Sequence, residues 1–224
     1  MSIVELWYYF CMTTLDAHTI ESYFNNSYKV DGKFDLPLIR KQKVDLEDLC
    51  LIKFSNVIKN EAKDRNATVH FFEPDERFDE VWKQPENYLS ELGQYKQALT
   101  PDFSMYYDMP LVLQLINTFR SRWCGAFWQE HGLTVIPTIG WSDEWSFEFC
   151  FDSVEPGSTV AVATLGVRDC EQGFMTGFAE MCKVIDPEVV ICYDQPFDAM
   201  YNFADVIHVP YLRNERVSPM KDRR

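Results

Sequence analysis

Seven short apolar runs, each followed by a longer stretch of helical or loop character, constrain this 224-residue chain more than any other feature. They are Leu49 to Phe54, Thr68 to Phe72, Ala98 to Phe103, Thr134 to Ile139, Thr159 to Leu165, Glu188 to Tyr193 and Val206 to Val209. Rich in β-branched and aromatic residues, they read as strands buried on both faces. Between them lie predicted helices at Phe78 to Leu92, Pro110 to His131, Ser142 to Phe151, Gly173 to Ile185 and Phe197 to Ala204. The second is the clearest. Asp108 is its expected N-cap, Pro110 sits in its first turn, Gly132 stops it, and Leu111, Leu115, Phe119 and Trp123 recur at helical spacing. Ser142 is the expected cap of the next, and Asp186-Pro187 closes the fourth.

Strand, helix, strand in repetition is the pattern of right-handed crossover units, which defines the fold class as α/β with a mainly parallel sheet. The sheet can be open or closed. No glycine fingerprint follows the first strand, which favours a small or incomplete (β/α) barrel over a dinucleotide-binding sheet. The expected organisation is an N-terminal leader over 1–48 packed on the core, an α/β core over 49–212, and a basic tail over 213–224. Turns are expected at Asn25-Asn26-Ser27 and Asp31-Gly32-Lys33.

The formal charge of −14 argues against a protein that holds extended nucleic acid by neutralising its backbone. The acids are concentrated at Glu73 to Glu91 and Asp143 to Glu155. Seven cysteines, odd in number and without a Cys-x-x-Cys pair, point to a reducing compartment, and a cytoplasmic location is expected. The apolar stretch Ile3 to Met12 lacks a basic flank, contains Glu5 and falls short of the ~18 residues of a membrane span.

Parallel α/β folds carry functional groups at the carboxyl ends of their strands. The rule selects Ser55-Asn56, Glu73-Pro74-Asp75, Asp102-Phe103-Ser104, Gly140 to Glu144, Gly166 to Asp169, Tyr193-Asp194-Gln195 and Tyr211. Asp102, Asp143 and Asp194 are the catalytic candidates, since paired carboxylates serve as general acid and base. Trp141 and Tyr193 are the expected stacking walls beside Phe103 and Ser104, and Arg168, between Gly166 and Gly173, the expected anion contact. The ordinary uses of such residues compete with these roles: Asp75 and Asp143 also suit helix starts, and glycines also permit turns. Arg120 and Arg122 are expected to pair with neighbouring acids. His18, His70, His131 and His208 show no metal-ligand spacing, no nucleophile elbow exists, and neither a cofactor nor a metal is expected.

Four segments together resemble a family of uncharacterised bacterial, phage and plasmid proteins classed as a domain of unknown function, DUF4417. They are Pro101 to Ser104, Asn117 to Gln129, Val135 to Asp143 and Gly157 to Val162. The resemblance covers about Leu49 to Pro210 and implies a phage or mobile-element context. A fainter one is to the barrel of tRNA-guanine transglycosylases and their phage DNA-modifying relatives. Asp102-Phe103-Ser104 is similar to an aspartate-serine strand end that holds the base there, and Ile136 to Gly166 is similar to an adjacent strand pair with a glycine-rich exit. The chain departs from that family in lacking its Cys-x-Cys-x-x-Cys zinc site, and Asp194 is the candidate for its second acid. The expected function is binding of a small polar or nucleotide-like ligand at the strand ends, with transferase or hydrolase chemistry within reach. The alternative is a non-enzymatic acidic protein that occupies the basic nucleic-acid site of a host protein.

Overall fold

Every predicted strand forms in the computed structural model, which describes residues 28–59, 61 and 64–211. Most are shorter than their apolar runs; in β4, β5, β6 and β7 the last residues of the run leave the ladder to begin an exit loop, while β8 loses the first two. After a hairpin of β1 (Val30–Asp31) and β2 (Leu36–Pro37), the parallel strands are β3 (Leu51–Lys53), β4 (Thr68–His70), β5 (Gln97–Leu99), β6 (Val135–Ile136), β7 (Val160–Ala163), β8 (Val190–Tyr193) and β9 (Val206–Val209). The helices are α1 (Phe54–Ile58), α2 (Asp79–Lys83), α3 (Leu89–Leu92), α4 (Leu111–Glu130) and α5 (Glu171–Ile185).

Strands β3 to β6 form one parallel sheet and β7 to β9 another, both in chain order. A parallel bridge between Thr138 and Ala161 joins them, with Ala161 N–H donating to Pro137 O at 2.9 Å and Ile139 N–H to Ala161 O at 2.8 Å. Pro137 has no N–H to offer, so β6 stops after two residues. The Thr100 hydroxyl carries the pairing onward: it accepts from Thr138 N–H at 2.9 Å, and the Thr138 hydroxyl donates to Thr100 O at 2.8 Å.

An order that never reverses places every right-handed crossover on the same face. The opposite face must then curl to bury itself. Leu51, Phe72, Leu99, Ile136, Ala161, Ile191, Ile207 and Val209 meet in one interior cluster that draws on all seven parallel strands or their ends. Their neighbours of opposite parity, such as Val69, Ala98, Val135, Val160, Val190 and Val206, face the outer layers. This is the arrangement of an incomplete (β/α) barrel. Of the leader, residues 28–48 pack on the core. Ile39 bridges Val154, Val44 and Leu46 pack on the interior cluster, and Asp45 N–H donates to the side chain of Gln97 at the start of β5, at 3.1 Å. Gly32 takes φ +73° in the expected 31–33 turn. Ile3 to Met12, the 25–27 turn and the 213–224 tail lie outside the described residues. Among the described residues, no helix is long and apolar enough to cross a membrane.

Three predicted helices are corrected. Phe78 to Leu92 is broken at Gln84-Pro85 into α2, a 3-10 turn at Pro85–Tyr88 and α3, because proline restricts the residue before it and supplies no N–H. Ser142 to Phe151 holds only a 3-10 turn at Ser146–Glu148, and Phe197 to Ala204 only one at Asp198–Asn202. Ser142 caps nothing: its N–H donates to Ser146 Oγ at 3.1 Å. Helix α4 begins after Pro110 with no side-chain cap, so Asp108 does not serve as one, while Gly132 stands just past its end at φ +82° as expected.

Of the expected apolar positions of α4, Leu115, Phe119 and Trp123 pack on the core, and only Leu111 does not. Leu111, Val112, Leu113 and Ile116 are exposed, while Gln114, Asn117, Thr118, Ser121 and Arg122 are buried. Arg122 meets no acid side chain. It donates to the carbonyls of Cys150 (2.6 Å), Asp152 (3.0 Å) and Thr138 (3.3 Å), stitching the loop after β6 to the helix. Further along, α4 approaches the sheet so closely that a Cβ on Gly125 would lie 2.6 Å from Ile39 Cδ1 and 2.8 Å from Thr100 Cγ2. Gly to Ala inside a helix ordinarily stabilises by about 1 kcal/mol. Here overpacking, which costs about 1–3 kcal/mol, should win, and Gly125→Ala is expected to lower stability in urea unfolding.

Candidate functional site

The exit loops of β5, β6 and β7 and the start of α5 enclose a groove of about 960 Å³. Five of the eight residues given a catalytic or ligand-binding role from the sequence line it: Asp102, Phe103, Ser104, Trp141 and Asp143. All but Asp102 are held in place by an identifiable contact. Asp75 accepts from Ser104 N–H at 3.1 Å and from the Ser104 hydroxyl at 2.7 Å, so an acid at the end of β4 anchors the loop after β5. Glu73 does the same toward β3, accepting from Ser55 N–H at 2.8 Å and its hydroxyl at 2.6 Å. Both carboxylates are scaffold. Asn117 Nδ2 donates to Ser104 O at 2.8 Å, and Gln114 Nε2 donates to Met109 O at 2.8 Å while its Oε1 accepts from the Ser142 hydroxyl at 2.7 Å. The buried amides of α4 thus clamp two walls of the groove together.

Phe103 is buried, with the Arg120 guanidinium 3.9 Å from its ring centre, and Arg120 in turn pairs with Asp79. Trp141 packs on Phe174 and Phe151 at ring-centre distances of 4.9 and 5.9 Å. Its indole crosses α5 at Gly177, where a Cβ would fall 2.1 Å from Nε1. Only glycine leaves room for it there. Asp143 accepts from Trp145 N–H at 3.2 Å in a tight local turn. Exposed aromatic rings of Tyr106, Tyr107 and Trp145 extend the walls toward solvent.

Asp102 is the chemically distinctive group. It retains some surface toward the groove and makes no hydrogen bond to any described residue. Gly140 lies close by: a Cβ there would be in van der Waals contact with Asp102 Oδ1 and Met105 Cγ, both at 3.7 Å. Asp102 also lines a small cavity of about 20 Å³ that reaches back to Arg122 and Ser121. Burial, reinforced by the negative charge of Asp75, pushes its carboxyl from the usual 3.8 up to about 7. A carboxyl in that range exchanges a proton near neutrality, the property required of a general acid or base.

The other three, Arg168, Asp194 and Tyr193, are not brought to the groove. Arg168 donates to Gln195 O, lies 3.9 Å from Asp194 Oδ2 and sits 5.0 Å from the Phe197 ring centre, tying the exit of β7 to that of β8. Its guanidinium is committed to the protein, and Asp194 is its partner, not that of Asp102. Tyr193 has the parity of Ile191 and points into the barrel, stacked on Phe72 at 5.0 Å and close to His70 at 4.8 Å. His70 is buried there, and burial followed by the nearby Lys53 charge pushes it down to about 3. Among the described residues, no cluster of three or more His, Cys, Asp or Glu is placed to hold a metal.

The chain belongs to the family described as Domain of unknown function (DUF4417), whose model matches residues 28–210 and so includes the whole groove. It is similar to the Gene 1 protein of Mycobacterium phage L5, with 42% identity over 137 residues. It is also similar to the Gene 1 protein of Mycobacterium phage D29, with 41% identity over 150 residues. These alignments cover 60% and 66% of this chain, and 60% and 54% of those relatives. No solved structure matches.

The raised carboxyl of Asp102 has a consequence for stability. In the unfolded chain it ionises near 3.8 and in the folded one near 7, so its ionisation opposes folding as pH rises through that window. Asp102→Asn removes this dependence. The melting temperature of the variant relative to the wild type is expected to be higher at pH 8 than at pH 5, and equal differences at the two pH values would refute the assignment.

Proposed function

We propose that the groove at the ends of β5, β6 and β7 binds a small flat polar ligand of nucleobase size, with Asp102 as the group that exchanges a proton with it. The convergence of Asp102, Phe103, Ser104, Trp141 and Asp143 on one cavity of about 960 Å³ carries this reading. That volume falls in the range of small-molecule sites, which combine apolar walls with a few converging polar groups. Aromatic faces suit a planar ligand. A half-protonated carboxyl suits a ring edge that presents either a donor or an acceptor, and transferase or hydrolase chemistry at such an edge would use Asp102 as acid or base.

The ligand's flat part is the part recognised. A nucleotide would have to leave its phosphates outside the groove, because Arg168, the expected anion contact, does not line it. Calorimetric titration with free nucleobases and nucleosides tests the reading. At least one is expected to bind, Trp141→Ala to weaken it about fivefold through loss of a stacking face, and Asp102→Asn to flatten its pH dependence between 6 and 8. Full affinity and an unchanged pH profile in Asp102→Asn would count against Asp102, and no binding of any base at millimolar concentration would count against the site.

A further inference from the structure

The charge balance of the groove is one-sided. Among the described residues that line it there are three acids, Asp102, Asp143 and Glu144, and no lysine, arginine or histidine. None of the three acids forms an ion pair with a described residue, in contrast to Asp79, Glu73 and Asp194 elsewhere at the strand ends. The nearby guanidiniums are held away from it. Arg120 lies against Phe103 and pairs with Asp79, Arg122 is spent on three backbone carbonyls, and Arg168 is tied to Gln195 and Asp194. The remaining walls are aromatic, including Trp141, Trp145, Tyr106, Tyr107 and Phe147. Ring faces carry negative quadrupole density, so they add to the attraction for a cation and oppose an anion.

We infer that the groove is selective for a ligand bearing a planar or compact positive group, a guanidinium, amidinium or ammonium, and that it rejects phosphates and carboxylates. The inference rests on the reading of the groove as a ligand site and adds the charge class of what enters. The acids Asp102, Asp143 and Glu144 take the charge, and the aromatic walls take the hydrocarbon or ring that carries it. The same group is found on small amines and on the arginine side chains of basic peptides, and both present the same chemistry to the groove.

Three probes with one ring and three charges decide the matter: benzamidine, benzamide and benzoate, titrated at low salt and followed by calorimetry. Benzamidine is expected to bind about tenfold or more tighter than benzamide, with benzoate weakest. Asp143→Asn and Glu144→Gln should each lower the affinity for benzamidine by a larger factor than that for benzamide, and their thermal melts report whether they fold. If benzamide matches benzamidine, the charge selectivity falls while the flat-ligand site stands. If benzoate binds best, the selectivity is overturned outright, and if none of the three binds, the site falls with it. A six-residue arginine peptide forms the second arm. Binding tighter than benzamidine and lost in the same variants identifies a peptide as the source of the cation, and binding no tighter than benzamidine identifies a small amine.

Discussion

Parallel strands arranged in unbroken chain order dictate the rest of this molecule. Each right-handed crossover returns to the same side, so the helices cover one face of the sheet and the other can leave water only by curling on itself. The curl is filled by one residue per strand or more, from Leu51 to Val209, while the leader residues Val44 and Leu46 pack onto the same cluster. Helices cover the flanks, and the carboxyl ends of the strands are left as the place where loops of different length build a site.

The mouth so formed is divided. On the side of β4, β8 and β9, Phe72, His70, Tyr193 and Tyr211 stack into an aromatic layer that fills the barrel top. On the side of β5, β6 and β7 the loops stand apart and the groove opens. The distinction follows side-chain parity and loop content. Tyr193 points inward and fills space. Trp141, beyond the end of β6 and seated over Gly177, stands at the edge and walls it.

In the long helix α4 the apolar spacing read from the sequence holds at Leu115, Phe119 and Trp123 and fails at Leu111, which is exposed, while the polar Gln114, Asn117, Thr118 and Ser121 are buried beside them. Burial of polar groups is favourable only when every donor and acceptor finds a partner. The partners of Gln114 and Asn117 are carbonyls of the loop that leads into the helix, Met109 and Ser104, together with the Ser142 hydroxyl 28 residues on, while Ser121 donates to the Thr100 hydroxyl, and no hydrophobic pattern announces contacts of this kind. Gln114 and Asn117 were therefore invisible as the residues that hold the groove walls, and Asp75 was legible as an acid but not as the anchor of Ser104.

From the sequence alone came the seven strands, their parallel crossovers, and Asp102, Phe103, Ser104, Trp141 and Asp143 at the strand ends where the groove lies. These follow from short-range patterns: apolar runs, turn residues and the position of a residue after a strand. Tertiary structure alone decided that Arg168 and Asp194 hold each other, that Tyr193 fills the barrel, that Asp102 is set near neutrality, and that the groove contains acids without a base among its described lining. Each of these depends on which groups meet across the mouth and on how much water they keep, and pairing and desolvation are properties of the assembled fold.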